Sequence, residues 1–301
     1  MTVRLLSHID VPPAHRPVFA TAGVTLYLAP RADPNGPLWP VPATAAQGSV
    51  EDEVFDAAAI DVLLTIGSLG ISAQEMDKLP ALRLICCLGV GYERVDLAAA
   101  AARGIRVTHG RGTNDTSVAD HAMALMLALV RDIAPLDRAV RRGQWQQSRR
   151  LRPQLSGKRV GILGLGTIGA NIAERCARGF AMEVGYHNRR PKADCAYHYC
   201  SSATALAHWC EILVIATPGG AATRHLVDEG VLTALGAEGF LVNIARGCVV
   251  DTAALTAALQ AQAIAGAALD VIEGEPQVPP ALLAQDNVLI TPHVAARSPR
   301  R

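Results

Sequence analysis

The sequence predicts an α/β protein with two doubly wound parallel-sheet domains and a cleft between them. The chain has 301 residues, half of them hydrophobic, and this is more than a single core usually holds. Short apolar runs of strand length alternate with helix-patterned segments almost throughout, an order typical of parallel sheets covered by helices on both faces. A glycine-rich turn at residues 164–169 also stands between a strand and a helix.

The first domain is predicted over residues 1–98 and is expected to contain a flavodoxin-like, doubly wound sheet. Its candidate strands are residues 3–6, 24–28, 62–66 and 82–87. Its candidate helices are residues 13–22, 50–58 and 73–78. Residues 30–42 are rich in Pro and Gly and predict a surface loop.

The second domain is predicted over residues 99–290. It begins with a long helix, residues 118–131, followed by a basic polar segment, residues 138–152, which contains Trp145. Asp251 is expected to cap a helix over residues 253–260. The six candidate strands are residues 158–163, 182–186, 212–216, 240–244, 265–271 and 288–290.

Composition argues against several classes of function. A net charge of +1 gives no reason to expect a nucleic acid or a membrane surface as partner. The apolar stretch at residues 119–130 is too short to span a bilayer, and the N-terminus lacks the pattern of a signal peptide. Seven Cys without a Cys-x-x-Cys pair predict reduced thiols in a cytoplasmic protein. No metal is expected, because the spacing of the one candidate zinc cluster fits no common site. That cluster is His187, Cys195, His198 and Cys200.

The glycine-rich turn has the context of a dinucleotide-binding Rossmann fold. It follows the strand at residues 159–163 directly and begins an amphipathic helical run. Gly164 and Gly166 allow a tight turn and close approach to a pyrophosphate, whereas Gly169 lets the helix pack against the strand. Thr167 and Ile168 lie at the helix N-terminus, which faces the phosphates. The alternative is a purely structural glycine turn.

The end of the next strand predicts which nicotinamide cofactor binds. An NAD site places Asp or Glu there, to accept hydrogen bonds from the ribose hydroxyls. This chain has Asn188 instead, followed by Arg189 and Arg190. A neutral side chain removes repulsion toward a 2′-phosphate, and guanidinium groups pair well with phosphate. NADPH is therefore the predicted cofactor, with NADH bound more weakly. The alternative is a solvated basic turn.

Three polar residues near the C-terminus suit the reduction of a 2-keto acid. Arg246, Glu275 and His293 each lie a few residues after an apolar run, where a parallel sheet presents its carboxyl ends to a ligand. An Arg can bind a carboxylate, a His can donate a proton, and a Glu can hold that His in its charged form. Each residue also has a structural alternative: a surface ion pair, a loop acid and a core histidine, respectively.

Several motifs in order make the chain resemble the D-isomer-specific 2-hydroxyacid dehydrogenase family. They include Gly89-Val-Gly-Tyr-Glu-Arg-Val-Asp96, Thr116-Ser-Val-Ala-Asp120, the glycine turn, Ala245-Arg-Gly247 and Thr291-Pro-His293. The resemblance covers nearly the whole chain and is strongest to the NADPH-preferring glyoxylate/hydroxypyruvate reductases. It implies an oxidoreductase that acts on a small 2-keto acid or 2-hydroxy acid.

The resemblance also implies a role for individual residues. Arg246 corresponds to the substrate-binding arginine, and His293 to the proton donor. Glu275, which precedes Pro276, corresponds to the catalytic carboxylate, with Glu273 as a rival by residue type alone. Asp270 matches a residue that contacts the nicotinamide carboxamide. The other implied positions are Val90, Gly91, Ser68 and Leu69 for the substrate and Thr116, Thr217, Pro218, Ile244 and Ala245 for the cofactor.

Family habit further implies a homodimer, for which the helix at residues 119–130 and the Trp145 segment are the candidate surface. Members usually continue past the Thr-Pro-His motif, whereas this chain ends at Arg301. Residues 291–301 are expected to return toward the first domain. Many members also have Glu at the position of Asp120.

Other functions on the same scaffold stay open at this point. One is a dinucleotide-sensing binding protein that resembles a corepressor, and another is a reductase of a bulkier keto acid such as phenylpyruvate. Formate dehydrogenases pair their histidine with Gln, whereas Glu275 stands here. Phosphite oxidation is less easily excluded, although the basic turn fits a reductase better.

Overall fold

A computed structural model describes residues 2–31, 35–38, 44–45 and 55–298 of the chain. Two compact units are present, Met1–Thr113 and Asn114–Arg301. Part of the predicted loop at residues 30–42, most of the predicted helix at residues 50–58, and residues 299–301 lie outside the described residues. Both units are built on parallel sheets, as predicted.

The sheet of the first unit has six strands in the order β3-β2-β1-β4-β5-β6. The strands are β1 (Val3–Ser7), β2 (Val24–Leu28), β3 (Thr44–Ala45), β4 (Val62–Thr65), β5 (Leu84–Cys87) and β6 (Arg106–His109). The pairs β1–β2, β1–β4, β4–β5 and β5–β6 are parallel, whereas β3 is antiparallel to β2. Without the edge strand β3, this is the flavodoxin-like order.

Short helices with identifiable caps connect these strands. They are α1 (Arg16–Thr21), α2 (Ala73–Met76) and α3 (Leu97–Ala102), with 3-10 turns at Pro13–His15 and Ala57–Ala59. Ser72 and Glu75 form a capping box at the start of α2, and Asp96 accepts the Ala99 N–H at the start of α3. Each face of the sheet carries an apolar cluster. The larger one contains Leu6, Tyr27, Leu63 and Ile85, which are in register across four strands, and the smaller one contains Leu5, Val11 and Leu26.

The first unit extends beyond the predicted boundary at residue 98. Strand β6 pairs with β5 through four residue pairs, so the chain leaves this unit at Thr113. The boundary was predicted too early because β6 is a largely exposed edge strand with one apolar residue, Val107. An edge strand of this kind lacks the apolar run by which the buried strands were recognised.

The sheet of the second unit has seven parallel strands in the order β13-β12-β11-β10-β7-β8-β9. The strands are β7 (Arg159–Leu163), β8 (Glu183–His187), β9 (His198–Tyr199), β10 (Ile212–Ile215), β11 (Phe240–Asn243), β12 (Gly266–Leu269) and β13 (Val288–Ile290). If β7 is counted as strand 1, the order is 3-2-1-4-5-6-7, which is the Rossmann order 3-2-1-4-5-6 with a seventh strand at the edge. The short strand β9 was not predicted.

Helices cover both faces of this sheet and bury two apolar clusters against it. They are α4 (Asp115–Val130), α6 (Thr167–Phe180), α7 (Ala203–Trp209), α8 (Glu229–Leu235), α9 (Thr252–Gln260) and α10 (Pro280–Leu283). A further helix, α5 (Ile133–Arg141), packs on α4 and has no buried residue. The Asp251 carboxylate accepts the N–H groups of Ala253 and Ala254, which confirms its predicted capping role. Residues 291–298 belong to this second unit.

Helix α4 is a core helix, which changes the basis of the predicted dimer surface. Most of its apolar residues, Met126 among them, are buried, and the helix packs against α6, β11 and β12. Its apolar side chains therefore pack inside the second unit and are not available for a dimer interface. The large apolar side chains that stay exposed nearby are Ile133, Val140, Trp145 and Leu151. Within the described part of the chain, no helix has the length and hydropathy needed to cross a membrane.

Candidate active site

The predicted catalytic residues follow three neighbouring strands of the second sheet. Arg246 follows β11, Glu275 follows β12, and His293 follows β13. Asn243 at the end of β11 is paired with Leu269 of β12, which is paired in turn with Ile290 of β13. Because these strands are parallel and in register, the three segments leave the sheet at the same edge.

His293 and Glu275 form a direct acid–base pair. The His293 Nδ1 lies 2.7 Å from the Glu275 Oε1, and each side chain is about one third exposed, at 36% and 34%. Glu273 has different partners, because its carboxylate lies 2.8 Å from the Arg224 guanidinium and 2.9 Å from His225 Nε2. The geometry therefore pairs Glu275, and not Glu273, with His293. Glu275 contacts the Nδ1 side of the His293 ring, and the role of His293 as proton donor stays a prediction.

A buried carboxylate holds the turn that carries His293. Asp270 is 1% exposed, and its Oδ1 accepts the Thr291 hydroxyl at 2.6 Å and the Val294 N–H at 3.0 Å. Its Oδ2 accepts the Ala295 N–H at 2.9 Å, and its backbone carbonyl accepts the His293 N–H at 2.8 Å. These bonds keep His293 at φ 53°, a left-handed conformation that residues other than glycine adopt only rarely. A contact of Asp270 with the nicotinamide stays a prediction.

The turn that carries Arg246 is shaped by Asn243, to which the sequence analysis gave no role. This buried side chain donates from Nδ2 to the Arg246 carbonyl at 3.1 Å and accepts the Ala245 N–H at 3.0 Å. The guanidinium Nη1 donates to the Ala245 carbonyl at 2.6 Å. An Asn at the end of a strand, directly before a turn, is the signal that could have identified it.

Close glycine contacts place the Arg246 turn between two other segments. A Cβ at Gly219 would lie 2.7 Å from the Arg246 Cγ, so the segment after β10 packs on the Arg246 side chain. A Cβ at Gly247 would overlap the backbone of Ile272 and Glu273, the segment that leads to Glu275. No larger residue fits at either position without moving its neighbours.

The glycine turn has the features predicted for a phosphate cradle. Gly164 is at φ 101°, and a Cβ there would lie 2.7 Å from the Thr217 backbone nitrogen. A Cβ at Gly169 would overlap the Gly164 carbonyl, so this glycine permits the close packing of α6 on β7. At Gly166 a Cβ would meet nothing within 4 Å, which leaves the backbone accessible at the start of α6. These residues fit a dinucleotide.

Asn188 joins the end of β8 to this turn. Its Oδ1 accepts the Leu165 N–H at 2.7 Å, while Arg189 and Arg190 are exposed. The arrangement brings two guanidinium-bearing residues to the carboxyl end of β8, beside the glycine turn. Binding of a 2′-phosphate by these residues stays a prediction.

The other predicted cofactor residues follow the same sheet edge. Thr217 is half-buried and Pro218 is exposed in the segment after β10, whereas Ile244 and Ala245 are buried beneath the Arg246 turn. Thr116 is exposed in the first turn of α4. Their contacts with a cofactor stay predictions.

The predicted substrate residues of the first unit lie on two touching loops. Ser68 and Leu69 follow β4, and Val90 and Gly91 follow the neighbouring strand β5. A Cβ at Gly67 would lie 2.5 Å from the Gly91 carbonyl carbon, so the two loops are in backbone contact. Leu69 is buried, and any contact of this residue with a ligand would come from its backbone.

The cysteines form no disulfide bond in this structure. All seven are free thiols, and burial raises the pKa of Cys176 and of Cys210 to about 12. The His187 Nδ1 lies 2.9 Å from the Cys200 carbonyl oxygen. Over the described residues, no three His, Cys, Asp or Glu side chains are grouped so that they could hold a metal ion.

Sheet order and the glycine turn place the chain among dinucleotide-binding proteins, and a histidine with an acidic partner on the same sheet edge is typical of those that transfer hydride. The family assignment is more specific. The chain belongs to the D-isomer specific 2-hydroxyacid dehydrogenase family, because the model of that family's NAD-binding domain matches residues 123–295.

Individual relatives cover most of the chain. A 2-ketogluconate reductase of Gluconobacter oxydans is 43% identical over 249 residues, which are 82% of this chain and 80% of the relative. A glyoxylate/hydroxypyruvate reductase of Arabidopsis thaliana is 44% identical over 230 residues, 76% of this chain and 73% of the relative. The crystal structure of an NADPH-dependent glyoxylate/hydroxypyruvate reductase from Sinorhizobium meliloti, in complex with NADP and malonate, is similar with a TM-score of 0.85. It is 34% identical and is matched over 99% of this chain and 88% of its own.

Proposed function

We propose that this protein is an NADPH-dependent reductase that converts a small 2-keto acid, glyoxylate or hydroxypyruvate, into the D-2-hydroxy acid. The observation that carries the proposal is the 2.7 Å contact between His293 Nδ1 and Glu275 Oε1 at the same sheet edge as Arg246. The similarity to glyoxylate/hydroxypyruvate reductases supports the choice of substrate.

The three residues divide the chemistry between them. The Arg246 guanidinium binds the keto-acid carboxylate and so orients the carbonyl group. The glycine turn and the end of β8 would hold a reduced nicotinamide cofactor, which would supply the hydride for the keto carbon. His293 donates a proton from Nε2 to the oxygen on which negative charge develops, and Glu275 stabilises the imidazolium from the side of Nδ1. Positioned general-acid help of this kind is worth about 10²–10⁴-fold in rate.

The local charge at the end of β8 supports NADPH as the cofactor. Asn188 carries no charge, and the two exposed arginines beside it would pair with a 2′-phosphate. NADH would leave these guanidinium groups in solvent, so we propose that it binds more weakly.

The direct test is the absorbance change of NADPH with purified protein and a panel of keto acids: glyoxylate, hydroxypyruvate, 2-ketogluconate and phenylpyruvate. We expect faster NADPH oxidation with glyoxylate or hydroxypyruvate than without substrate, and a D-2-hydroxy acid as product. If no keto acid accelerates oxidation although NADPH binds, the dinucleotide-sensing alternative replaces the enzyme.

A second candidate substrate is a bulkier keto acid. Leu88 and Tyr92 flank the Val90–Gly91 loop and are 62% and 40% exposed, and the Tyr92 ring lies against His109 with centroids 5.1 Å apart. Exposed apolar groups beside a substrate loop favour a larger substituent on the keto acid. A higher kcat/KM for phenylpyruvate than for glyoxylate would select this alternative.

We also infer a homodimer, for which the exposed Trp145 supplies a large apolar contact. Sedimentation of the protein at micromolar concentration tests this inference. A monomer at all concentrations would contradict it.

A further inference from the structure

We propose that His121 is a positioning residue for His293, and that it acts through Thr291 and Asp270. The inference rests on the proposed function, since it concerns the alignment of the proton donor. His121 lies on α4, far along the chain from the Thr-Pro-His motif, and directly follows the motif at residues 116–120.

The three side chains form a directed chain of hydrogen bonds. The His121 Nε2 lies 3.1 Å from the Thr291 Oγ1 and 3.4 Å from the Asp270 Oδ1. The Thr291 Oγ1 lies 2.6 Å from the same carboxylate oxygen. An ionised carboxylate only accepts, so the single hydroxyl proton of Thr291 is donated to Asp270. The Thr291 oxygen then accepts from His121, which requires the proton of the imidazole to be on Nε2.

A second contact from the same helix holds the other end of the turn. Ser117 precedes His121 by one helical turn, so both project from one face of α4. The Ser117 Oγ donates to the Ala295 carbonyl at 2.8 Å. Residues 291–295 are therefore bonded to α4 at both ends, and Thr291, Val294 and Ala295 also donate to the Asp270 carboxylate. Because α4 is a buried helix, it is a rigid support for this turn.

The need for such support follows from the conformation of His293. Its positive φ persists only while surrounding contacts hold it, and an error of about 1 Å in a catalytic group can cost about 10²-fold in rate. Loss of the His121 bond removes one of these contacts, whereas the glycine turn, Asn188 and Arg246 keep their own contacts and Asp270 keeps its bonds to residues 291–295. The expected effect is therefore on kcat and not on the affinity for NADPH.

The test compares His121→Leu with His121→Gln, whose amide N–H can reach the position of Nε2. We expect His121→Leu to lower kcat roughly ten- to a hundredfold while KM for NADPH stays within about twofold, and His121→Gln to retain most of kcat. Thr291→Val should resemble His121→Leu, and Thr291→Ser should resemble the parent. The double variant His121→Leu/Thr291→Val should be no slower than Thr291→Val alone, because both changes interrupt one chain.

Three results would overturn the proposal: a parental kcat for His121→Leu, equal loss in His121→Gln and His121→Leu, or multiplicative losses in the double variant. If His121→Leu fails to fold, comparison of kcat between Thr291→Val and Thr291→Ser tests the same chain of hydrogen bonds. Here equal activity of the two variants contradicts the proposal.

Amide hydrogen exchange separates this proposal from the proposed function. The Val294 and Ala295 N–H groups bind Asp270, so their exchange should be at least tenfold faster in His121→Leu than in the parent. Unchanged exchange overturns the positioning role whether or not the protein turns over a keto acid. If exchange accelerates in His121→Leu but the parent reduces no 2-keto acid, His121 does hold the turn at residues 291–295, and only the proposed function fails.

Discussion

The Glu275 carboxylate lies 2.7 Å from Nδ1 of His293, so an acidic group contacts the ring nitrogen opposite to the one that would face substrate. Glu275 therefore contacts the imidazole only on its Nδ1 side. It also places a negative charge next to the ring that is proposed to donate the proton.

Replacing Glu275 by Gln should lower kcat for keto-acid reduction, because Gln keeps a hydrogen-bonding group but no charge to stabilise the positive ring of His293. We expect a loss of about tenfold, since both side chains are partly exposed and solvent screens part of the charge. The measurement is steady-state kcat at saturating NADPH and keto acid. Glu238→Gln, an exposed control, should keep the parental kcat, and a kcat for Glu275→Gln equal to that of the control would remove Glu275 from the mechanism.

His293→Gln should lower kcat about 10²–10⁴-fold with little change in KM, because the proton donor acts mainly in the transition state. His208 on α7 is exposed, and His208→Gln is the matched control. Steady-state kinetics at saturating NADPH make the comparison. Turnover of His293→Gln at the rate of the control would assign the proton to another group.

Arg246→Ala should raise KM for the keto acid and also lower kcat, because one guanidinium both binds the carboxylate and orients the carbonyl. Arg246→Lys should be intermediate, since an ammonium lacks the planar, bidentate geometry of the guanidinium. Arg178, an exposed residue on α6 that pairs with Glu174, supplies the control Arg178→Ala. A KM for Arg246→Ala equal to that of the control would exclude carboxylate binding by Arg246.

The sequence predicted the central strands to within one or two residues at each end, for a physical reason. Strands such as Ile212–Ile215 and Phe240–Asn243 are buried on both faces, and a strand of this kind reads as a continuous apolar run. The edge strands Arg106–His109 and His198–Tyr199 have polar, partly exposed residues and lack that signal. One was therefore assigned to the wrong unit and the other was missed.

The residues of the candidate site also differ in how well the sequence predicts them. Arg246, Glu275 and His293 could be predicted because each stands in a short motif next to a strand end. The residues that hold them could not, because their partners are distant in sequence: Ser117 and His121 contact a turn about 170 residues further on. The motif at residues 116–120 contains Ser117 and borders His121, but nothing in it indicates which distant residues these two contact. Their role depends on the packing of α4 beside β12 and β13.

Acid should destabilise the first unit through His8. Burial, together with the nearby Arg31 guanidinium, lowers the pKa of His8 from 6.5 to about 3. The folded state keeps the ring neutral, whereas the unfolded chain binds a proton near pH 6.5. Stability due to neutral His8 is therefore complete above that pH and falls by up to about 1.4 kcal/mol for each unit below it, until about pH 3.

His8→Gln removes this titration, although it can also change the stability at neutral pH. The decisive quantity is thus the slope of unfolding free energy against pH, measured by urea denaturation between about pH 7 and 4.5. We expect the parent to lose about 2–3 kcal/mol more than His8→Gln over this range. Parallel slopes for the two proteins would show that His8 is protonated in the folded state as easily as in the unfolded chain.

Cofactor preference should depend on the two arginines beside Asn188. Arg189 and Arg190 are exposed at the end of β8, and Asn188 is bonded to the glycine turn, so a 2′-phosphate there would gain charge-assisted hydrogen bonds. One ionic hydrogen bond is worth roughly 1.5–3 kcal/mol, or about ten- to a hundredfold in preference. Replacing both arginines with Ala should weaken NADPH binding by that factor and change NADH binding little. Added salt should narrow the difference in affinity between NADPH and NADH in the parent.

Calorimetric or fluorescence titration gives the Kd values of both cofactors. Arg178→Ala is the control for loss of an exposed positive charge on the same unit. Equal kcat/KM for NADH and NADPH in the parent would mean that the arginines form only a solvated turn.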